Sequence, residues 1–145
     1  MAITLVANAS KEAADWFYTH LQIKRSRDFK KIVRNFLRER VERNLKHDEI
    51  IVGKSNKPHK FENVVVIGSK RVIVDPVLHE HASISARIVA NLDVRAAGHE
   101  NLEQTIVYDD EGEEWSSADL NLLAVGAPVM AFGRSKNLIA DLVRV

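Results

Sequence analysis

Two β-branched runs, Asn63-Val64-Val65-Val66-Ile67 and Arg71-Val72-Ile73-Val74, are separated only by Gly68-Ser69-Lys70. Residues branched at Cβ suit a pleated, half-buried surface, and a glycine-led break of this length closes an antiparallel hairpin. Pro76 lacks the amide hydrogen that a continuing central ladder needs. The second run is therefore predicted to stop there or to lie at an edge.

The flanking segments alternate between the two hydrophobic periods. Residues 49–53 read as a strand running into the polar turn 54–58. After the hairpin, Ile84, Ile88 and Leu92 share one face of a helix over residues 82–92, and residues 104–108 form the next strand. Ser116 and Asp119 resemble a capping box ahead of Leu120, Leu123 and Ala124, on a helix ended by Gly126 and Pro128. Residues 129–132 give a last strand, and a closing helix over 135–143 is predicted to bury Leu138, Ile139, Leu142 and Val143. At the other end, residues 3–7 read as a short strand or arm. Ser10 caps a helix carrying Ala13, Ala14, Phe17, Tyr18 and Leu21. A second helix begins near Ser26 or Asp28 and carries Phe29, Ile32, Val33, Phe36 and Leu37 at helical spacing. Val41 and Leu45 drift from that face toward its polar side, and His47-Asp48 ends it.

A hairpin followed by helix-connected strands predicts an α/β fold, with a mixed five-stranded sheet flanked by helices. At 145 residues the chain is one domain. Residues 1–47 are its N-terminal arm and basic helices, and residues 48–145 its sheet core. No apolar run of 18 residues and no cleavable leader stands out, so no membrane role and a cytoplasmic location are expected. The absence of cysteine excludes disulfides, thiol nucleophiles and cysteine-held metals.

Net charge is only +1, but its distribution is uneven. Residues 24–46 hold ten Lys or Arg against three acids, a balance of +7 that leaves −6 for the rest. Within that segment Arg27, Lys31, Arg34 and Arg38 form one stripe spanning roughly 16 Å of helix, long enough to reach several phosphates of a duplex. Arginine predominates, which suits bidentate recognition of phosphate or carboxylate. The partner expected is nucleic acid or an acidic protein surface. The alternative is a solvated face, or pairing of the stripe with the chain's own acidic turn, Asp109-Asp110-Glu111 with Glu113 and Glu114. That turn could instead imitate phosphates toward a host protein complex, with Asp109, Asp110 and Trp115 at the interface, although Trp115 more ordinarily belongs to a core. Phe17, Tyr18 and Phe36 are the residues a homodimer would use.

Glu62 opens the first hairpin strand and Asp75 closes the second, so two carboxylates stand at strand ends where magnesium or manganese could be held. His79-Glu80-His81 offers alternating imidazoles, but its place between Pro76 and a helix favours a loop over a metal site. GxxxxGK[ST], GxGxxG and GxSxG are all absent.

The order of elements resembles the restriction-endonuclease-like fold, whose active members carry an acid on the second strand and a (D/E)-x-K motif on the third. More narrowly, Val52-Gly53-Lys54-Ser55, His59-Lys60-Phe61-Glu62 and Leu92-Asp93-Val94-Arg95 resemble the C-terminal domain of a group of phage and prophage proteins. In that group a glycine-serine turn precedes a histidine and an F-D-F strand. The likeness covers roughly residues 38–135. It implies Glu62 as the strand-two acid and Asp75 as the first position of (D/E)-x-K, with Val77 where the lysine would stand. Valine neither polarises water nor stabilises a phosphorane, so a displaced Lys54, Lys60 or Lys70 would have to complete a nuclease. The resemblance therefore implies a phage-type accessory protein that binds without a cofactor. A metal-dependent nuclease and an inhibitor of a host nucleic-acid-binding complex are the alternatives.

Overall fold

The computed structural model describes residues 13–14, 28–112 and 114–143. The expected arm at 3–7 lies outside them, as do Phe17, Tyr18 and Arg27; residues 13–14 are helical. Helix α1 is described over residues 28–41 and passes through a single 3-10 turn, Glu42–Asn44, into β1 (Leu45–Val52). There follow β2 (Pro58–Ile67), β3 (Lys70–Pro76), α2 (His81–Ala96), β4 (Leu102–Tyr108), α3 (Ser117–Gly126), β5 (Val129–Ala131) and α4 (Phe132–Val143). The strands lie in the order β1-β2-β3-β4-β5. Pairing is antiparallel for β1/β2 and β2/β3 and parallel for β3/β4 and β4/β5, so β2 alone opposes the other four.

The expected α/β class and mixed five-stranded sheet are thus present. β3 is the middle strand, buried from Val72 to Pro76, because its apolar run meets helices on both sides. Val72 and Val74 join Phe29, Val33, Leu37 and Val41 of α1 and Phe132 and Ile139 of α4. Ile73 faces the opposite layer with Ala90 and Val94 of α2, while Ile84, Leu123 and Trp115 extend that layer under β4. The hairpin turn is tighter than the sequence suggests. Lys70 pairs with Ile67, leaving Gly68-Ser69 as a two-residue turn in which Gly68 takes φ 61, a conformation that costs glycine no Cβ clash.

Four boundary expectations change. β1 begins at Leu45 rather than at residue 49, so His47 and Asp48 lie within a strand. Val41 is buried at 2% exposure: Phe29, Val33, Leu37 and Val41, four residues apart, stay against the sheet, while Ile32 is pushed outward. On α2 the buried positions are Ile84, Ala90, Asn91 and Val94, and Leu92 is exposed. Phe132 begins α4 instead of ending β5, and Leu138 is 45% exposed. For Val41, Leu92 and Leu138 the partner surface, and not the periodicity, selected the buried face. The Ser116 cap behaves as the sequence indicates, its hydroxyl accepting from the Asp119 amide at 3.1 Å.

One departure from regular pairing positions the site. The β2/β3 ladder ends at Val64↔Ile73, after which β3 continues beside β4 through Asp75↔Ile106 and Pro76↔Val107, while β2 stays with β1. The two strands fork. The buried Asn63 amide bridges the parting strands by donating to the Val74 carbonyl at 3.3 Å. Opposite the fork, Asp48 takes φ 55, and Asp48 and Glu62 drop out of the β1/β2 ladder. Aspartate tolerates this left-handed conformation, and the local distortion re-aims neighbouring side chains, as strand irregularities do.

Candidate functional site

The fork opens into a cleft of about 440 Å³ whose wall includes Lys30, Lys60, Glu62, Asp75, Glu80 and Arg87. Four elements meet there. α1 supplies Lys30, β2 supplies Lys60 and Glu62, β3 ends in Asp75, and the first half of α2 brings Arg87. Both hairpin carboxylates therefore do reach one cleft. Lys60 is the one of the three displaced-lysine candidates that lines it; Lys70 pairs with Glu103 at 2.7 Å.

The two acids have different surroundings. Glu62 is partly exposed and pairs with Lys30 at 3.4 Å. Asp75 is buried, and both of its oxygens are occupied: Arg87 Nη1 donates to Oδ1 at 2.9 Å and Asn91 Nδ2 donates to Oδ2 at 2.8 Å. Gln104 supports Asn91 by donating to its Oδ1 and to its backbone carbonyl. Burial pushes the Asp75 carboxyl above its usual range, outweighing the pull of the Arg87 guanidinium and the two hydrogen bonds; the nearby Glu62 charge pushes the same way. A hard cation needs free, ionised oxygens. With Arg87 already serving as the cation of Asp75, these residues do not fit a bound magnesium or manganese. Among the described residues no group of three or more His, Asp or Glu is placed to hold a metal.

A second cleft of about 380 Å³ adjoins the first, lined by Lys30, Lys31, Arg34, Asn35, Arg38 and Glu62. Lys30 and Glu62 belong to both. The described part of the α1 stripe thus runs directly into the fork; Arg27 lies outside the described residues. Arg34 is anchored from behind, its Nε on His47 Nδ1 at 3.4 Å and its guanidinium 3.6 Å from Asp48, which also faces Lys60 at 3.8 Å. Among the described residues Lys31 and Arg38 ion-pair with no carboxylate.

Among the described residues no carboxylate of the acidic turn pairs with that stripe. Asp110 accepts from the Gly133 amide at 3.0 Å, capping the start of α4, and Asp109 accepts from the Glu111 amide at 3.1 Å. Asp109 is occupied in shaping its own turn, and Asp110 in tying that turn to the start of α4. Trp115 is 9% exposed and stacks on the His79 ring with centroids 4.3 Å apart, the ordinary core role rather than a surface anchor. Phe36 is half-buried and meets Phe132 edge-on at 5.6 Å within the α1/α4 layer. His79-Glu80-His81 lies between β3 and the first residue of α2, as expected.

The three segments quoted for the phage-protein likeness converge on Asp93. Its Oδ1 accepts from the Ser55 amide at 3.0 Å, and its Oδ2 accepts from the Ser55 hydroxyl at 2.6 Å and contacts His59 Nε2 at 2.8 Å. A side chain on Gly53 would collide with the Asp93 carboxylate, so the glycine is required for this close approach. Serine, histidine and aspartate together invite comparison with a nucleophile relay, but here the aspartate is central. In a relay the imidazole must stand between the other two to take the hydroxyl proton. The cluster is a clamp that holds the β1–β2 turn on α2.

The Ser55 and His59 hydrogen bonds hold the Asp93 carboxyl down at about 2. A carboxylate depressed in the folded state adds stability above its unfolded pKa of about 4, and that stability is lost as pH falls through the folded value. The thermal midpoint is therefore expected to drop between about pH 4 and pH 2, and Asp93→Asn should flatten this part of the curve. Equal steepness in both proteins, measured by circular dichroism, would remove the clamp from the account.

Asp93 entered only within a segment of the phage-protein likeness, and Arg87 and Asn91 were not singled out in the sequence. A signal was available: Ile84, Arg87, Asn91 and Val94 share the inward stripe of α2, and two polar residues on such a stripe indicate a buried polar partner. No protein-family model matches the chain, and neither a curated protein nor a solved structure matches it significantly.

Proposed function

We propose that this protein binds nucleic acid without cleaving it, along Lys31, Arg34 and Arg38 of α1 and into the β2/β3 fork through Lys30 and Lys60. The observation that carries this reading is the continuity of the two clefts across Lys30 and Glu62. Lys30, Lys31, Arg34, Arg38, Lys60 and Arg87 stand along that path against Glu62, Asp75, Glu80 and Asp48. Such a surface attracts a polyanion, and among the described residues that line the two clefts there is no aromatic ring to offer a stacking platform, so phosphate contacts dominate. The strand order, with β2 alone reversed, and the position of α2 between β3 and β4 support a restriction-endonuclease-like fold. On this reading Arg87 neutralises the strand-three acid internally, and the fold is used for binding. A phage-type accessory role follows from the likeness of the Gly53, His59 and Asp93 segments.

The test is a gel shift with labelled single- and double-stranded DNA and RNA, with and without manganese. Affinity should fall steeply with salt, and Lys31→Glu and Arg38→Glu should weaken binding on every sequence alike, each reducing the salt slope by about one. Metal-dependent cleavage lost in Glu62→Ala would replace this reading with the nuclease. Absence of any shift would redirect the stripe to an acidic protein surface.

A further inference from the structure

On the far side of the sheet from α1, the outer surfaces of α2 and α3 differ in composition from the rest of the protein. Ser85, Val89, Leu92 and Ala96 recur at helical spacing along the exposed side of α2, and Ala118, Leu122 and Val125 do so on α3. Val89 is 58% exposed, Leu92 41%, Leu122 49% and Val125 53%. The stripes adjoin. Gly126 lies so close to α2 that a Cβ there would sit 3.1 Å from the Ile88 Cα, and their sequence neighbours Val125 and Val89 both face outward. Charge is almost missing from this surface. Arg87 turns inward to Asp75, Asp93 to Ser55 and His59, and the half-exposed Asp119 faces His79 at 4.0 Å, which leaves His81 at the start of α2 and Arg95 at its C-terminal end.

We propose that this face is a homodimer interface, on which a second copy of the chain packs its own α2 and α3 about a twofold axis. A twofold sets a patch against itself, so a net charge on it would repel its own copy. An apolar face with His81 and Arg95 only at its periphery meets that condition. It would poorly match a polar or charged partner, which it could not hydrogen-bond. The helices also suit the symmetry. Each crosses between parallel strands, so α2 and α3 run parallel, and a twofold across them gives antiparallel helix packing in which Ser85 and Ala96 permit close approach. Sixteen residues of α2 make a helix about 24 Å long and ten of α3 one about 15 Å long, so two helices about 10 Å apart give roughly 400 Å² in projection, which corrugation by side chains raises toward the roughly 800 Å² per partner of a stable interface. The α1 stripe lies beyond the opposite face of the sheet, so both copies keep it open.

Sedimentation of the full chain decides this. At micromolar concentrations the protein should run at twice 16.4 kDa. Val89→Glu and Val125→Glu should each halve that mass without changing the circular dichroism spectrum, while Arg38→Glu leaves it dimeric. Because the chain has no cysteine, single Val89→Cys, Leu92→Cys, Leu122→Cys and Val125→Cys variants give an independent readout. Across a twofold at least one of the four should form a disulfide-linked dimer on oxidation. A chain that stays at 16.4 kDa, a dimer that survives both glutamate substitutions, or the failure of all four cysteines to cross-link would overturn the proposal. So would a monomer that binds neutral phospholipid vesicles through these residues. The nucleic-acid reading is tested separately, through Lys31 and Arg38 of α1.

Discussion

Arg87→Ala is expected to lower the free energy of unfolding by about 3 kcal/mol at neutral pH, the lower end of what breaking a buried ion pair costs. The reason lies with the partner left behind. Asp75 is 1% exposed, and without Arg87 its Oδ1 has neither a donor nor a counter-charge in a place water reaches poorly. The lower end of the range is the appropriate one because the Arg87 side chain is itself 23% exposed and partly screened. The pH dependence gives the prediction its direction. Burial already raises the Asp75 carboxyl, so the folded protein holds that proton more tightly than the unfolded chain does. Stability from this group is complete below the unfolded pKa of about 4 and is lost as pH rises through the folded value. Removing Arg87 raises the folded value further. The deficit of Arg87→Ala relative to the parent should therefore shrink as pH falls. Urea unfolding at neutral pH and near pH 4 measures both. A loss under about 1 kcal/mol, or a deficit that grows in acid, would show that Asp75 does not depend on Arg87. Replacing both residues together by leucine should restore much of the loss, since no charge then remains buried.

Phe61→Ala should cost about 3–5 kcal/mol, as truncation of a fully buried phenylalanine does. Phe61 has no exposed surface and fills the centre of the cluster formed by Ile51, Val64, Ile73, Ala90 and Val94. Its ring also lies 5.8 Å from the Arg87 guanidinium carbon, so the same side chain fills the α2 layer and flanks the cation that holds Asp75. The losses from Phe61→Ala and Arg87→Ala should then fall short of additivity when combined, because each removes part of the other's environment. Strict additivity in a double-mutant cycle would separate the two. In β2 Phe61 stands between Lys60 and Glu62, which line the fork. Nucleic-acid affinity in Phe61→Ala should accordingly fall by more than the loss of folded protein explains.

The local elements were readable along the chain because their causes are local. The hairpin follows from two β-branched runs around Gly68, the stop at Pro76 from a missing amide hydrogen, and the α3 start from the Ser116 hydroxyl. The stripe on α1 was readable for the same reason, since helical spacing alone places Lys31, Arg34 and Arg38 on one side. Tertiary structure decided the rest. Whether Val41, Leu92 or Leu138 would be buried depended on which surface lay opposite, and periodicity supplies a face without saying what meets it. Glu62 and Asp75 could be placed at strand ends from the sequence, but the divergence of β2 from β3 joined their cleft to the α1 stripe. The internal neutralisation of Asp75 by Arg87 required α2 to cross behind β3. The clamp on Ser55 and His59 likewise needed Asp93 from 34 residues beyond His59. Short-range chemistry is written in neighbouring residues, whereas a buried charge finds its partner only when the chain has folded back on itself.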